Sequence, residues 1–176
     1  TGLTALAMML STVPESHSAS SAQMQWTRNV VQYARGGRWG NAYRGLPLNS
    51  WAYVRTGSNS RAQIRYADGS IMRLGSRSIA RIRYVGSKNV TVRRGKAYFK
   101  VNKQRSRMKV RTRTAVATVL GTEFVVEVQE NPGCTSGCED TTKLTTLEGN
   151  VGVSAPDGSG MVELGAGMTT DRKSVV

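Results

Sequence analysis

Histidine is nearly absent from this 176-residue chain, and acids are scarce in its first two thirds. The single histidine, His17, lies ahead of the strand-like body. That excludes a Ser–His–Asp triad, a Cys–His nucleophile and a histidine-rich metal site within the fold. Only two cysteines occur, Cys134 and Cys138, with four prolines and 6% aromatics. The apolar stretch Thr1–Val13 falls short of the roughly 20 residues that a spanning helix needs. After residue 35 no segment keeps a 3.6-residue hydrophobic period, so a helical bundle is excluded as well. What is present is 39% hydrophobic residues, enough for one core in a chain of this length and too many for a disordered one.

The charge is large and unevenly placed. Lys and Arg total 25 against 11 Asp and Glu, a net +14 with a pI near 10.6. Residues 26–113 hold 22 of the bases and one acid, Asp68, for +21. Residues 114–176 hold three bases and nine acids, for −6, and Glu15 supplies the remaining −1. So much self-repulsion points to an acidic partner or surface.

Thr1–Val13, followed by Pro14 and the Ser/Ala-rich run up to Gln23, has the pattern of the rear of a secretory signal peptide, with an A-x-A-like cleavage point between Ala22 and Gln23. The expectation is an exported protein, periplasmic, lumenal or at the cell surface. An uncleaved membrane anchor and a tail without targeting role are the alternatives. Cys134 and Cys138 sit in ENPGCTSGCED, a loop by its Pro, Gly and Ser content, where they can close a small disulfide in an oxidising compartment or remain two inert thiols. The C-x-x-x-C spacing lacks the further ligands of a zinc site, and no cofactor is expected.

From Trp51 onward the dominant period is two. RAQIRYADGSIMRLG has the pattern of a hairpin turning at Asp68-Gly69-Ser70, and further runs of four to eight residues follow, each closed by turn residues. About a dozen short antiparallel strands predict an all-β fold, a twisted solenoid-like or sandwich-like stack. The division expected is residues 1–22 as the leader-like segment, 23–50 as an Arg- and aromatic-rich arm or cap, 51–170 as the β-domain and 171–176 as a tail. In and next to residues 23–50, Trp26, Tyr33, Trp39, Tyr43 and Trp51 stand among Arg35, Arg38 and Arg44, either as an adaptable arm or as an irregular cap on the core.

Alternation also predicts where the bases point. Ala80 and Ile82 interleave with Arg81 and Arg83; Met108 and Val110 interleave with Lys109, Arg111 and Arg113. If these strands share a sheet, their cations lie on one outer face. A single such Arg serves solubility and protects an edge. The whole set is a docking face, and its candidate residues are Arg65, Arg73, Arg81, Arg83, Arg93, Lys109, Arg111 and Arg113, with Trp39 and Tyr43 as aromatic anchors.

The order of the motifs resembles the FecR domain, an exported β-rich module first named from the regulator of ferric citrate uptake. The resemblance is carried by T-G-x-x-S-x-A from Thr56, the D-G-S turn at Asp68, G-x-A-x-F from Gly95, a T-x-x-A-x-V-x-G-T-x-F block ending at Phe124, and E-G-x-V from Glu148. These occur in order over about 115 residues. They hold no nucleophile with a base, no spaced carboxylate pair and no phosphate loop, so they shape a fold and carry no chemistry. The resemblance implies a β-domain outside the cytoplasm whose work is protein contact, and the absence of a cytoplasmic segment from the sequence favours a stand-alone module over an anti-sigma regulator.

Three functions are weighed. The leading one is a non-enzymatic binding or scaffold module that docks on an acidic protein or assembly through its basic face. The second is an architectural subunit or linker of a large membrane-associated complex or filament. The third is binding of a polyanion, whether nucleic acid, acidic polysaccharide or an anionic membrane surface. Nucleic acid is disfavoured by the export signal. Self-association of the basic and acidic halves is a further expectation.

Overall fold

A computed structural model of the chain describes residues 22–48, 51–85, 87–103, 107–130 and 139–175. The leader-like segment before Ala22 and the Cys134–Cys138 loop lie outside these residues. Sixteen strands and no helix occur among the described residues. They are β1 (Ala22–Arg28), β2 (Val31–Arg35), β3 (Arg38–Asn41), β4 (Pro47–Leu48), β5 (Ala52–Thr56), β6 (Arg61–Tyr66), β7 (Ile71–Leu74) and β8 (Ile79–Val85). After the long β9 (Ser87–Lys100) come β10 (Met108–Arg111), β11 (Val116–Val119), β12 (Glu123–Gln129), β13 (Glu139–Glu148), β14 (Val151–Ser154), β15 (Val162–Leu164) and β16 (Thr169–Val175).

The strands form one open sheet that folds over itself in two wings. Wing one runs β4-β1-β6-β7-β9-β12-β13-β16 and wing two runs β3-β2-β5-β8-β9-β10-β11-β14-β15. The 14-residue β9 belongs to both: its first half pairs with β8 and β10, its second half with β7 and β12. The change of wing falls at Gly95, whose φ of 84° is in the left-handed region and where a Cβ would stand 2.6 Å from Ser78 Cα. Only glycine meets both conditions. Buried Ser78 mends the interrupted ladder there, accepting from the Lys96 amide at 3.0 Å, while its own amide donates to Thr56 Oγ1 at 2.9 Å. Thr56 and Gly95, two of the motif residues, thus hold the fold line.

Folding the sheet over gives one core fed from both wings. Met24, Ile64, Met72, Phe99 and Phe124 from wing one and Val54, Ala80, Ile82, Val90 and Val110 from wing two belong to a single buried cluster. Phe99 and Phe124, opposite each other in β9 and β12, stack at 5.0 Å between centroids. Truncating either buried ring is worth about 3–5 kcal/mol.

The all-β, sandwich-like expectation holds, and three details differ. First, β9 and β10 run parallel, with Lys109 opposite Asn89. Such pairs usually need a crossover of a dozen or more residues. The crossover here is the stretch 92–108, whose first part is the half of β9 that pairs in wing one. Second, residues 22–48 form four regular strands: β1 lies between β4 and β6 in wing one, β2 pairs with β5 in wing two, and Met24 and Leu48 are fully buried. They are part of the sheet and not a separate arm or an irregular cap, so the boundary at residue 50 corresponds to no break in the sheet. Third, residues 171–175 complete edge strand β16 and are not a tail.

Candidate functional site

The two wings carry opposite electrostatic patterns on their outer faces. On wing one two of the cations meet acids across the strands. Lys96 pairs with Glu127 at 3.3 Å, and Lys100 pairs with Glu123. The Glu123 carboxyl also accepts from the Tyr98 hydroxyl at 2.9 Å. Those two donors hold the Glu123 carboxyl below its ordinary range, whereas burial and this same carboxylate push the Tyr98 phenol up.

On wing two the cations have no acids. Tyr53 in β5 stands opposite Arg81 in β8, Arg81 opposite Thr91 in β9, and Thr91 opposite Arg111 in β10. In the parallel row two residues along β8, Arg83 stands opposite Asn89 and Asn89 opposite Lys109. The alternate positions Ala80, Ile82, Val90, Val92 and Val110 are buried, which turns the basic set outward. Two strand spacings separate Arg83 from Lys109 across β9, roughly 10 Å, and successive outward residues on one strand are roughly 7 Å apart.

Aromatic rings hold these guanidiniums in place. Arg81 lies 4.2 Å from the Trp51 ring centroid and 5.2 Å from that of Tyr53; Arg83 lies 4.8 Å from Trp51, and Arg93 5.3 Å from Tyr53. At the edge, Arg55 sits 4.0 Å from the Trp39 ring, which is tilted against Tyr53 at 6.5 Å. Each stack is worth about 0.5–1 kcal/mol where exposed and removes side-chain freedom before any partner arrives. Among the described residues Arg55, Arg81, Arg83, Arg93, Lys109 and Arg111 form no ion pair.

The expected residues divide accordingly. Arg81, Arg83, Arg93, Lys109, Arg111 and Trp39 share the wing-two face. Arg65 and Arg73 do not; they belong to β6 and β7 in wing one, where Arg73 donates to Gln63 Oε1 at 2.5 Å and stacks 5.4 Å from Tyr98. The alternation that turned them outward carried no information about which wing they would join. Arg113, past the end of β10, is paired with Asp140 at 2.7 Å. Tyr43 is exposed in the β3–β4 connection and lines a cleft at the edge of the face, which Trp39 also borders. Among the face residues not expected, Tyr53 and Arg55 alternate with buried Ala52 and Val54, a legible signal. Trp51 is different. Its φ is +73°, a conformation rare for a bulky side chain, and nothing in the sequence announces it.

The single acid of the basic half is not on either face. Asp68, in the β6–β7 turn, accepts from the Ser70 amide at 2.9 Å and pairs with Lys88 of β9, both side chains being less than a tenth exposed. Among the described residues no group of three His, Cys, Asp or Glu is placed to hold a metal ion, and no helix is long and apolar enough to cross a membrane.

The model of the FecR protein family matches residues 52–152, more than half of the chain. A comparison with curated proteins finds no match. Two crystal structures of a candidate anti-sigma factor from Parabacteroides distasonis, at 2.50 and 1.65 Å resolution, are similar in fold, with TM-scores of 0.55 and 0.54 and identities of 21% and 22%. The match covers 70% of this chain and 59% of theirs. Arg81, Arg83, Arg93, Lys109 and Arg111 fall within the matched residues, and Trp39 and Trp51 fall before them.

Proposed function

The chain belongs to the FecR protein family, and on that premise we propose that it is an exported, non-enzymatic docking module in envelope signalling or assembly. Its partner is an acidic protein, held on the outer face of wing two. One observation carries this reading: six cations without an ion pair among the described residues share a face with the rings of Trp39, Trp51 and Tyr53, whereas on wing one Lys96 and Lys100 meet acids. Like charges in neighbouring rows repel mildly, and a carboxylate-bearing partner removes that cost. The roughly 7 Å spacing along each strand equals the spacing of alternate residues in an extended peptide, so an acidic strand laid along β8 meets Arg81 and Arg83 in register.

The test is retention of envelope proteins from the native source on the immobilised chain, compared with a folded Arg81→Gln, Arg83→Gln, Arg111→Gln variant. Acidic proteins are expected on the wild type, released as salt rises from about 0.05 to 0.5 M, and absent from the variant. Equal retention by both would overturn the reading, and retention of nucleic acid alone would favour the polyanion alternative.

A further inference from the structure

This inference rests on the acidic-partner reading and adds a second contact at the edge of the same wing, where Trp39 borders both face and cleft. The β2–β3 hairpin turns through Gly36 and Gly37, at φ of 64° and 91°, the left-handed pair that a tight two-residue turn requires. The turn sets Arg35 directly opposite Arg38. Two guanidiniums in register on one side of a hairpin repel, neither forms an ion pair among the described residues, and residues 26–67 contain no acid at all.

Both arginines line an open cleft of about 450 Å³ together with Tyr33, Trp39, Tyr43 and Leu46. The volume is that of a ligand site rather than a packing defect. Leu46 is buried in the core, so the floor is apolar. Tyr33 covers Gly40, where a Cβ would already touch its ring at 3.4 Å, and so walls one side. No Asp or Glu lines the cleft, so it repels a cation. A ring beside a carboxylate fits instead, the ring against tyrosine and Leu46 and the carboxylate in the fork of two guanidiniums. We propose that the cleft is an anchor pocket for an aromatic side chain of the acidic partner, with the carboxylate of a neighbouring residue clamped between Arg35 and Arg38.

The test titrates the full chain with three fluorescently labelled probes: the peptide DDFDD, the peptide DDADD and poly-glutamate. DDFDD is expected to bind at least tenfold more tightly than DDADD, and the Arg35→Gln, Arg38→Gln variant is expected to lose that preference while holding poly-glutamate as before. Equal affinity for the two peptides, or a preference that survives in the variant, overturns the anchor pocket. If poly-glutamate fails to bind the wild type, the basic-face reading falls, and the pocket stands or falls by the two peptides alone.

Discussion

Replacing Asp68 by Asn is the sharpest test of how the two wings are held together. The Asp68 carboxylate sits in the β6–β7 turn of wing one and pairs with Lys88 on the β9 half that belongs to wing two. The side chains are 9% and 4% exposed, so water replaces little of a lost partner. Asn keeps the size of the side chain and an oxygen for the Ser70 amide, so the change removes the charge and one acceptor, that of the Ser70 hydroxyl at 2.9 Å. It leaves an ammonium buried without a counter-charge, which typically costs 3–5 kcal/mol. At about 2–4 °C per kcal/mol for a domain of this size, a loss of ~3 kcal/mol lowers Tm by roughly 10 °C. Burial pulls the Lys88 pKa below its ordinary value. With Asp68 gone nothing opposes that pull, and the folded state releases its proton at a lower pH than the unfolded state does. The unfolded state then binds more protons, so stability rises with pH across the interval between the two values. Urea unfolding at pH 7 and at pH 10 reads both effects: a large deficit at pH 7 that narrows at pH 10. Adding Lys88→Met should restore much of the loss, since an uncharged side chain of similar length replaces the unpaired ammonium. A deficit below about 1 kcal/mol at pH 7, or one independent of pH, would refute the reasoning.

Two further outcomes follow from the geometry. At Trp51 the left-handed φ costs any side chain about 1–2 kcal/mol, and glycine escapes that cost. Trp51→Gly should therefore melt higher than Trp51→Ala, while both lose affinity for the acidic partner because Arg81 and Arg83 lose their ring; Ala matching Gly in thermal melts would show that no strain is held there. At Glu123 the lowered folded value means a stabilising contribution that is present above the ordinary Glu range and lost as pH falls through the lowered value. Glu123→Gln should thus narrow its stability gap to the wild type on acidification, and a gap unchanged between pH 7 and pH 3 in urea titrations would contradict the Lys100 and Tyr98 contacts.

Much of this molecule was legible without coordinates, because its signals are local. Side chains alternate across a pleated strand whatever lies next to it, so the period of two in IARIRYV and MKVR placed Arg81, Arg83, Lys109 and Arg111 outward and their neighbours inward. The same logic placed turns at Gly69, Gly121 and Gly149, all of which have positive φ. Alternation says only in or out, however, and Arg65 and Arg73 turn outward on a different wing. Which strands become neighbours depends on a bend at one residue, Gly95, and on contacts between residues far apart in the chain.

Charge shows the same division. Composition and order along the sequence determined an all-β chain with a basic first half, and one acid, Asp68, among its bases. Only the tertiary structure decided that this acid is spent internally on Lys88, that Lys96 and Lys100 are answered by acids from the second half, and that the wing-two arginines rest unanswered on rings. Pairing between charges acts through space over a few ångströms and is set by strand register, whereas a sequence records only separation along the chain.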